Sequence, residues 1–187
     1  MPSLPVETLE FEARLIGVDP PIRRRFKVPT HHSLADAHLM LQVLMAWENK
    51  HLCEFAFADC RFEAGDDPEA TGEDATEVCL SDLNLEPGSS LRYEYDFGDE
   101  WTLALIVVDQ AHGPVTGPVC TAGERVAPPD DAGGAAHYMR VLAAQREPEQ
   151  HPDLEEAVEW LPPDFDPERF DRAAVNRSLA QWAGRAI

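Results

Sequence analysis

The sequence predicts an α+β fold in which a β-rich first half is followed by helices. Short runs that alternate between apolar and polar residues recur through residues 8–108, and this alternation is typical of half-buried strands. Residues 135–183 contain three helical segments, which follow a stretch rich in glycine and proline at 110–134. The length of 187 residues falls within the usual range for a single domain. We therefore expect a single domain, 1–187, with a mixed or antiparallel sheet and helices at its C-terminal end.

The first elements follow the order strand, strand, helix, strand. The two opening strands are predicted at 8–18 and 22–28, separated by the turn Asp19-Pro20-Pro21. Ser33 is a good N-cap for a helix that starts at Leu34 and stops near Trp47, with Asp36 placed close to a capping box. Further segments are a strand at 51–57, an acidic loop at 65–74 and a short strand at 76–80. This start is compatible with a β-grasp-like core.

The clearest strand pair is predicted at 91–97 and 101–108. A two-residue turn would mix apolar and polar faces, whereas a three-residue loop at 98–100 keeps one face apolar. That register pairs Phe97 with Trp101, Tyr95 with Leu103, and Tyr93 with Leu105. Helices are then expected at 135–145, 152–161 and 172–183. The aromatic residues expected to build the core are Trp47, Trp101, Trp160, Trp182, Tyr93, Tyr95, Phe97 and Phe165.

The net charge of the chain indicates which kinds of binding partner are favourable. The 35 acidic and 15 basic residues give a formal net charge of −20. Such a field repels phosphate backbones, so nucleic acid is an unfavourable partner and a protein with a basic surface is a favourable one. No apolar run approaches the about 18 residues that span a bilayer, and no secretory signal is visible. We therefore expect a cytoplasmic protein, no membrane contact, and reduced thiols at its four cysteines.

Several phrases of the sequence are more specific than composition. They are Pro20-Pro21-Ile22 with Arg24-Arg25, Met45-Ala46-Trp47 with His51-Leu52, the YDFGD segment with Trp101, Cys120 with Gly123-Glu124-Arg125, Pro128-Pro129-Asp130-Asp131 with Gly133-Gly134, and Phe165-Asp166-Pro167 with Phe170-Asp171. Over residues 9–182 they resemble the plasmid pRiA4b ORF-3-like family. The resemblance implies one α+β domain and no assigned activity, although some members are labelled transposon resolvases.

The sequence departs from that family at four positions. Arg23 stands where the family often has Trp, Asp130 where it has Glu, and His137 where it commonly has Gly. The fourth departure is Leu103, which replaces the usual histidine two residues after the motif tryptophan. If that histidine serves a site in relatives, the site has been lost or changed here. The resolvase label has no support in this chain, which lacks a basic DNA-binding tail.

Clustered carboxylates are the candidate metal ligands. Asp96 and Asp99 lie at the predicted hairpin tip, and Asp130 and Asp131 lie in the glycine-proline stretch. Together they offer the oxygen ligands that a divalent cation requires, and bound metal would support hydrolysis. The alternative is structural: Asp96 and Asp99 accept hydrogen bonds from turn N–H groups, and Asp131 caps the helix after Gly134.

Other candidates also have two interpretations. Arg24 and Arg25 form a solvated face or pair with the Asp96 region, with Arg24 pointing away from its neighbours. His51 pairs with a carboxylate or binds metal, whereas His38 is expected to be a hydrogen-bonded core residue. Cys120, in the same loop as Glu124, is a nucleophile only if its pKa is lowered, and is otherwise a small buried residue. Trp101 stacks on a ligand or packs in the core.

Three functions follow from these observations. The first is a non-enzymatic interaction or accessory module, because no phosphate loop, metal-binding cysteine spacing or nucleophile elbow appears. The second is a divalent-metal-dependent hydrolase or nuclease that uses the clustered carboxylates. The third is a regulator associated with nucleic acid.

Overall fold

The computed structural model describes residues 7–64, 71–112 and 117–184. Within these ranges, eight strands form one sheet in the order β5-β4-β3-β6-β7-β1-β2-β8, with all neighbours antiparallel except β4 and β5. The strands are β1 (Thr8–Leu15), β2 (Arg23–Pro29), β3 (Cys53–Phe57), β4 (Cys60–Ala64), β5 (Glu73–Asp74), β6 (Ser90–Tyr95), β7 (Trp101–Ala111) and β8 (Val119–Glu124). The predicted α+β class is confirmed, as is the β-β-α-β order at the start.

In the part of the chain that the structure describes, four α-helices accompany the sheet: α1 (Leu34–Met45), α2 (Gly134–Arg146), α3 (Glu155–Trp160) and α4 (Arg172–Ala183). Ser33 and Asp36 form the expected capping box, in which each side chain accepts the other's backbone N–H at 3.1 Å. The predicted helix at 152–161 is divided into a 3₁₀ turn at Pro152–Leu154 and α3. No helix within the described ranges has the length and apolar character needed to cross a bilayer.

The hairpin register predicted from the sequence is wrong by two residues. Tyr95 pairs with Trp101 and Tyr93 pairs with Leu103, so the loop has five residues instead of three. A shift of two keeps every side chain on its predicted face, because the period of a strand is two. It moves Phe97 out of the ladder to the hairpin tip, where its side chain is 46% exposed.

Three strands of the described residues, β4, β5 and β8, were not predicted, and the strand predicted at 76–80 is absent; β5 lies in the predicted acidic loop. β4 and β8 lie in segments with weak alternation; β8 pairs with β2 inside the stretch that was expected to be a loop. Residues 76–80 form a turn and enter a 3₁₀ helix at Leu80–Leu83, since side chains of Asp74 and Asp82 accept the backbone N–H groups of Thr76 and Cys79. Residues 65–70 and 113–116 of the two predicted loops lie outside the described residues.

The core contains most of the predicted aromatic residues. Trp47, Trp101, Tyr93 and Tyr95 are buried between the sheet and the helices. The prediction is wrong for Phe97 and also for Trp160, which lies on the short α3 and is 52% exposed. A polar network crosses this core. His38 on α1 lies 2.8 Å from the Tyr93 hydroxyl through Nδ1, and Gln42 donates to the same hydroxyl at 3.0 Å.

The buried His38 makes stability depend on pH. Desolvation lowers the pKa of His38 below 6.5, although the hydrogen bond with Asn49 opposes the shift. The unfolded chain therefore binds a proton first as the pH falls, so we expect the free energy of unfolding to decrease below about pH 6.5. Denaturant titrations across that pH should show a smaller decrease in a His38→Gln variant than in the wild type. Parallel curves would contradict this assignment.

Candidate functional site

Three segments that are distant in sequence meet at one end of the sheet. His51 lies two residues before β3, and Asp96 follows the last residue of β6. Because β3 and β6 are neighbours, the Asp96 N–H donates to the Leu52 carbonyl at 3.0 Å and brings the two side chains together. Asp131 arrives from the segment that precedes α2. These three residues, His51, Asp96 and Asp131, form the H-D-D cluster.

The geometry of the H-D-D cluster suits a metal ion. His51 Nε2 lies 3.5 Å from Asp96 Oδ2 and 3.2 Å from Asp131 Oδ1. One ligand atom from each residue lies within 4.8 Å of the others. Nε2 is shielded from solvent, yet it makes no hydrogen bond of acceptable geometry to any described residue. A shielded ring nitrogen without a hydrogen bond beside two carboxylates requires an explanation, and a cation shared by the three residues is one.

Asp96 is held rigidly. Its Oδ1 accepts the Gly98 N–H at 3.0 Å and the Asp99 N–H at 3.4 Å, which leaves Oδ2 to face His51. The backbone of Asp96 is left-handed, with φ of 58°, and that of Asp131 is also left-handed, with φ of 59°. Non-glycine residues seldom adopt this conformation, but aspartate does so more readily than most.

The other two predicted ligands face backbone groups. Asp99 Oδ2 accepts the Gly133 N–H at 2.8 Å, and Asp130 Oδ2 accepts the Glu48 N–H at 2.7 Å. These bonds join the hairpin tip and the α1–β3 connection to the segment that carries Asp131. The proposed helix cap at Asp131 is wrong, because the N-cap of α2 is Gly133 and has no side-chain cap. Only Asp96 and Asp131 of the four predicted carboxylates belong to the H-D-D cluster.

Aromatic residues form the floor beneath His51. The Tyr95 ring packs edge-on to His51 with centroids 5.6 Å apart and stacks on Trp47 at 4.9 Å. Trp47 Nε1 donates to the Pro128 carbonyl at 3.0 Å, and the Tyr95 hydroxyl accepts the Lys50 N–H at 3.0 Å. Burial raises the pKa of Tyr95 to about 12, so its hydroxyl stays neutral. These contacts anchor the α1–β3 connection and the segment around Pro128 to the core.

The structure places the two candidate arginines away from the H-D-D cluster. Arg24 donates from Nε to the Leu44 carbonyl at 2.8 Å, and from Nη1 to the carbonyls of Arg23 and Glu124. Arg25 pairs with Glu10 at 2.9 Å. The hypothesis that either one pairs with the Asp96 region is wrong, because the alternation of β2 turns Arg24 into the interior and Arg25 toward β1 and solvent.

The remaining candidates are structural by position. Cys120 is buried on β8, where desolvation raises the pKa of its thiol despite the nearby Arg24. Its backbone bonds reciprocally to the Asn176 amide at 2.7 and 2.9 Å. Glu124 contributes its carbonyl to Arg24, and Trp101 is fully buried in the core. Leu103, where the family usually has histidine, is also fully buried and faces Tyr93 across the ladder.

Sequence reasoning named His51 as a candidate but did not join it to the acidic residues. The information that joins them is the pairing of β3 with β6, which places residue 52 beside residue 96. Both strands were predicted, but their adjacency was not. The signal that was available is local: His51 opens one predicted strand and Asp96 lies at the end of another, and neighbouring antiparallel strands bring such ends together.

Comparisons with known proteins support the architecture. A family model described as "Plasmid pRiA4b ORF-3-like protein" matches residues 7–174. The uncharacterized protein y4hQ of Sinorhizobium fredii is 32% identical over 186 residues, which cover 95% of each chain. A crystal structure of the protein of unknown function MM3350 from Methanosarcina mazei Go1 superposes with a TM-score of 0.79 at 32% identity, covering 90% of this chain and 97% of that one.

Proposed function

The chain belongs to the plasmid pRiA4b ORF-3-like family, and from that premise we propose that it binds a divalent metal ion through the H-D-D cluster. The observation that carries the proposal is the position of His51 Nε2. This atom is buried between two carboxylate oxygens at 3.5 and 3.2 Å and makes no hydrogen bond to the described residues. A metal ion bound to all three residues supplies the missing interaction.

The set of ligands indicates which cations fit. One imidazole nitrogen with two carboxylate oxygens suits Zn²⁺, Mn²⁺ or Fe²⁺ better than Ca²⁺, which takes six to eight oxygens. Three protein ligands leave coordination positions open, and centres of this kind are typical of catalysis rather than of structural metal. The exposed Asp131 places the open side toward solvent.

Such a centre supports hydrolysis. His51, Asp96 and Asp131 would hold the ion, which would act as a Lewis acid and would lower the pKa of a bound water, as in metal-dependent hydrolases. The charge of −20 opposes binding of long polyanions, so small or neutral substrates fit this protein better than nucleic acid does.

Metal-dependent thermal stabilisation tests the proposal. After chelation and desalting, we expect Zn²⁺ or Mn²⁺ to raise the melting temperature. A ligand present at 100 times its dissociation constant adds about 2.7 kcal/mol to the stability of the native state. The double variant Asp96→Asn, Asp131→Asn should lose this increase, because amide oxygens are neutral and weaker ligands. Calorimetric titration should show one site per chain in the wild type.

The control variant removes the same number of negative charges as the Asp96→Asn, Asp131→Asn variant but leaves the H-D-D cluster intact. Asp153 and Asp109 are surface residues outside the cluster, so Asp109→Asn, Asp153→Asn lowers the negative charge equally. This control should retain the metal response. Equal responses in all three proteins would indicate nonspecific binding of cations to an acidic surface, and would contradict the proposal.

A second candidate function is the interaction module predicted from the sequence. It is favoured by Phe97, which is 46% exposed at the hairpin tip directly after Asp96, on a chain with a charge of −20. An exposed aromatic side chain in an acidic setting suits a protein partner with a basic surface. A partner retained by the wild type and lost by Phe97→Ser would support this function, and identical retention by both proteins would contradict it.

A further inference from the structure

Arg24 is a buried cation whose guanidinium, among the described residues, donates hydrogen bonds to carbonyl oxygens and lies against an aromatic ring. Its side chain is 2% exposed and donates to the carbonyls of Leu44, Arg23 and Glu124 at 2.7–2.8 Å. The Leu44 carbonyl belongs to the last turn of α1, where a positive charge is favourable. The Phe170 ring covers one face of the guanidinium, with Cζ 4.2 Å from the ring centroid.

These contacts leave part of the guanidinium unused. The three hydrogen bonds come from Nε and Nη1, and Nη2 has no acceptor among the residues that the structure describes. No carboxylate of those residues pairs with Arg24, although the chain has 35 acidic residues. Burial lowers the pKa of Arg24 to about 10, so the group is still charged at neutral pH. A buried charge without a counterion is costly, and an anionic ligand would offset that cost.

A cavity lies against this arginine. Its volume is about 400 Å³, which is within the range of small-molecule sites. Arg24 lines it on one side, together with an apolar wall formed by Leu44, Met45, Val126, Phe165, Phe170 and Val175. A buried cation next to an apolar wall is the arrangement expected for a ligand that joins one anionic group to an apolar tail.

Acidic residues at the same cavity limit which anion can enter. Asp164, Asp166 and Asp171 also line it, with Arg169 as the second cation. Asp166 accepts the Glu168 N–H and Asp171 accepts the Ala174 N–H, so both carboxylates are engaged in turns and caps. Together with the net charge of −20, these carboxylates oppose a doubly charged phosphate more strongly than a monoanion.

We propose that this cavity binds a small monocarboxylate with an apolar tail, whose carboxylate accepts a hydrogen bond from Arg24 Nη2. The tail packs against the apolar wall beneath Phe170. Charge-assisted bonds between a guanidinium and a carboxylate are about twice as strong as neutral ones, which favours the acid over its uncharged analogues. The site shares no residue with the H-D-D cluster, so metal binding is not required for it.

Matched small ligands test this site. We expect 4-methylpentanoate to bind the wild type in calorimetric titrations and in ligand-observed NMR, and 4-methylpentanamide to bind at least about tenfold more weakly, because the amide has the same tail without the charge. Inorganic phosphate should bind weakly or not at all. Equal binding of the acid and the amide would show that Arg24 does not select the ligand, and would overturn the proposal. No binding of the acid at millimolar concentration would also overturn it.

Two variants separate ligand binding from folding. Arg24→Gln removes the charge, and it should abolish the preference for the acid over the amide. Because Arg24 also supports α1 and β8, that variant is informative only if its circular dichroism and melting remain cooperative. Ala174→Leu fills the cavity from α4 and leaves Arg24 in place. It should weaken binding of the acid by at least about tenfold, and unchanged binding in this folded variant would contradict the assignment to this cavity.

Discussion

Replacing Trp101 with alanine is expected to lower the free energy of unfolding by about 3–5 kcal/mol, which is the usual effect of removing a large buried aromatic side chain. Trp101 is fully buried on β7, and it packs with centroids 6.4 Å from both Trp47 and Tyr138. It therefore joins the sheet to α2 and to the end of α1. Equilibrium unfolding in urea, followed by tryptophan fluorescence and circular dichroism, measures the loss.

Phe97 provides the matched control for that measurement. The sequence alone places Phe97 opposite Trp101 in the core, whereas the structure places it at the hairpin tip with 46% exposure. A Phe97→Ala variant should therefore change the stability by no more than about 0.5 kcal/mol, as is usual for surface positions. A loss at Phe97 that matched the loss at Trp101 would contradict the observed register and restore the three-residue loop.

A Gly134→Ala variant is expected to destabilise the protein by about 2–4 kcal/mol and to weaken metal binding. Gly134 has φ of 76°, and a Cβ there would lie 2.6 Å from the Asp99 carbonyl oxygen. Alanine adds left-handed strain of about 1–2 kcal/mol and a steric clash of similar size. The clash separates the hairpin tip from the segment that carries Asp131, so Asp131 moves away from Asp96.

The Gly88→Ala variant measures the cost of left-handed backbone strain without a steric clash. Gly88 also has a positive φ, 96°, but a Cβ there would meet nothing within 4 Å. We expect a cost of about 1 kcal/mol from strain alone and unchanged metal affinity. Thermal melting and calorimetric titration of Zn²⁺ distinguish the two variants. Equal metal affinity in Gly134→Ala and the wild type would show that contact between the two loops does not position the cluster.

Most of the local structure could be predicted from the sequence, because interactions between residues close in the chain determine it. Ser33 and Asp36 are three residues apart, and the side chain of each accepts a hydrogen bond from the backbone N–H of the other. This pair determines where α1 begins. The alternation of residues 91–95 fixes which side chains face the core, and a register shift of two leaves that assignment intact. β8 was missed because a segment with glycine at 123 and two flanking prolines reads as a loop until β2 provides a partner.

The candidate site depends on contacts that no local pattern encodes. His51 and Asp131 are separated by 80 positions, and they meet because β3 lies beside β6 while Asp99 and Asp130 hold the glycine-proline segment in place. The four carboxylates were recognised as a group, but only the folded chain shows that Asp96 and Asp131 face His51 and that Asp99 and Asp130 do not. The sequence likewise predicted that Arg24 points away from Arg23 and Arg25 but not that it is buried, because its burial against Phe170 depends on the approach of the distant segment before α4.

The central claim is that His51, Asp96 and Asp131 bind one metal ion, and anomalous diffraction from a crystal grown with Zn²⁺ tests it most directly. The claim predicts a single strong peak about 2.0–2.2 Å from His51 Nε2 and from one carboxylate oxygen each of Asp96 and Asp131. It also predicts that the peak disappears in the Asp96→Asn, Asp131→Asn variant. A peak elsewhere on the acidic surface, together with a hydrogen bond between His51 Nε2 and a carboxylate, would contradict the claim.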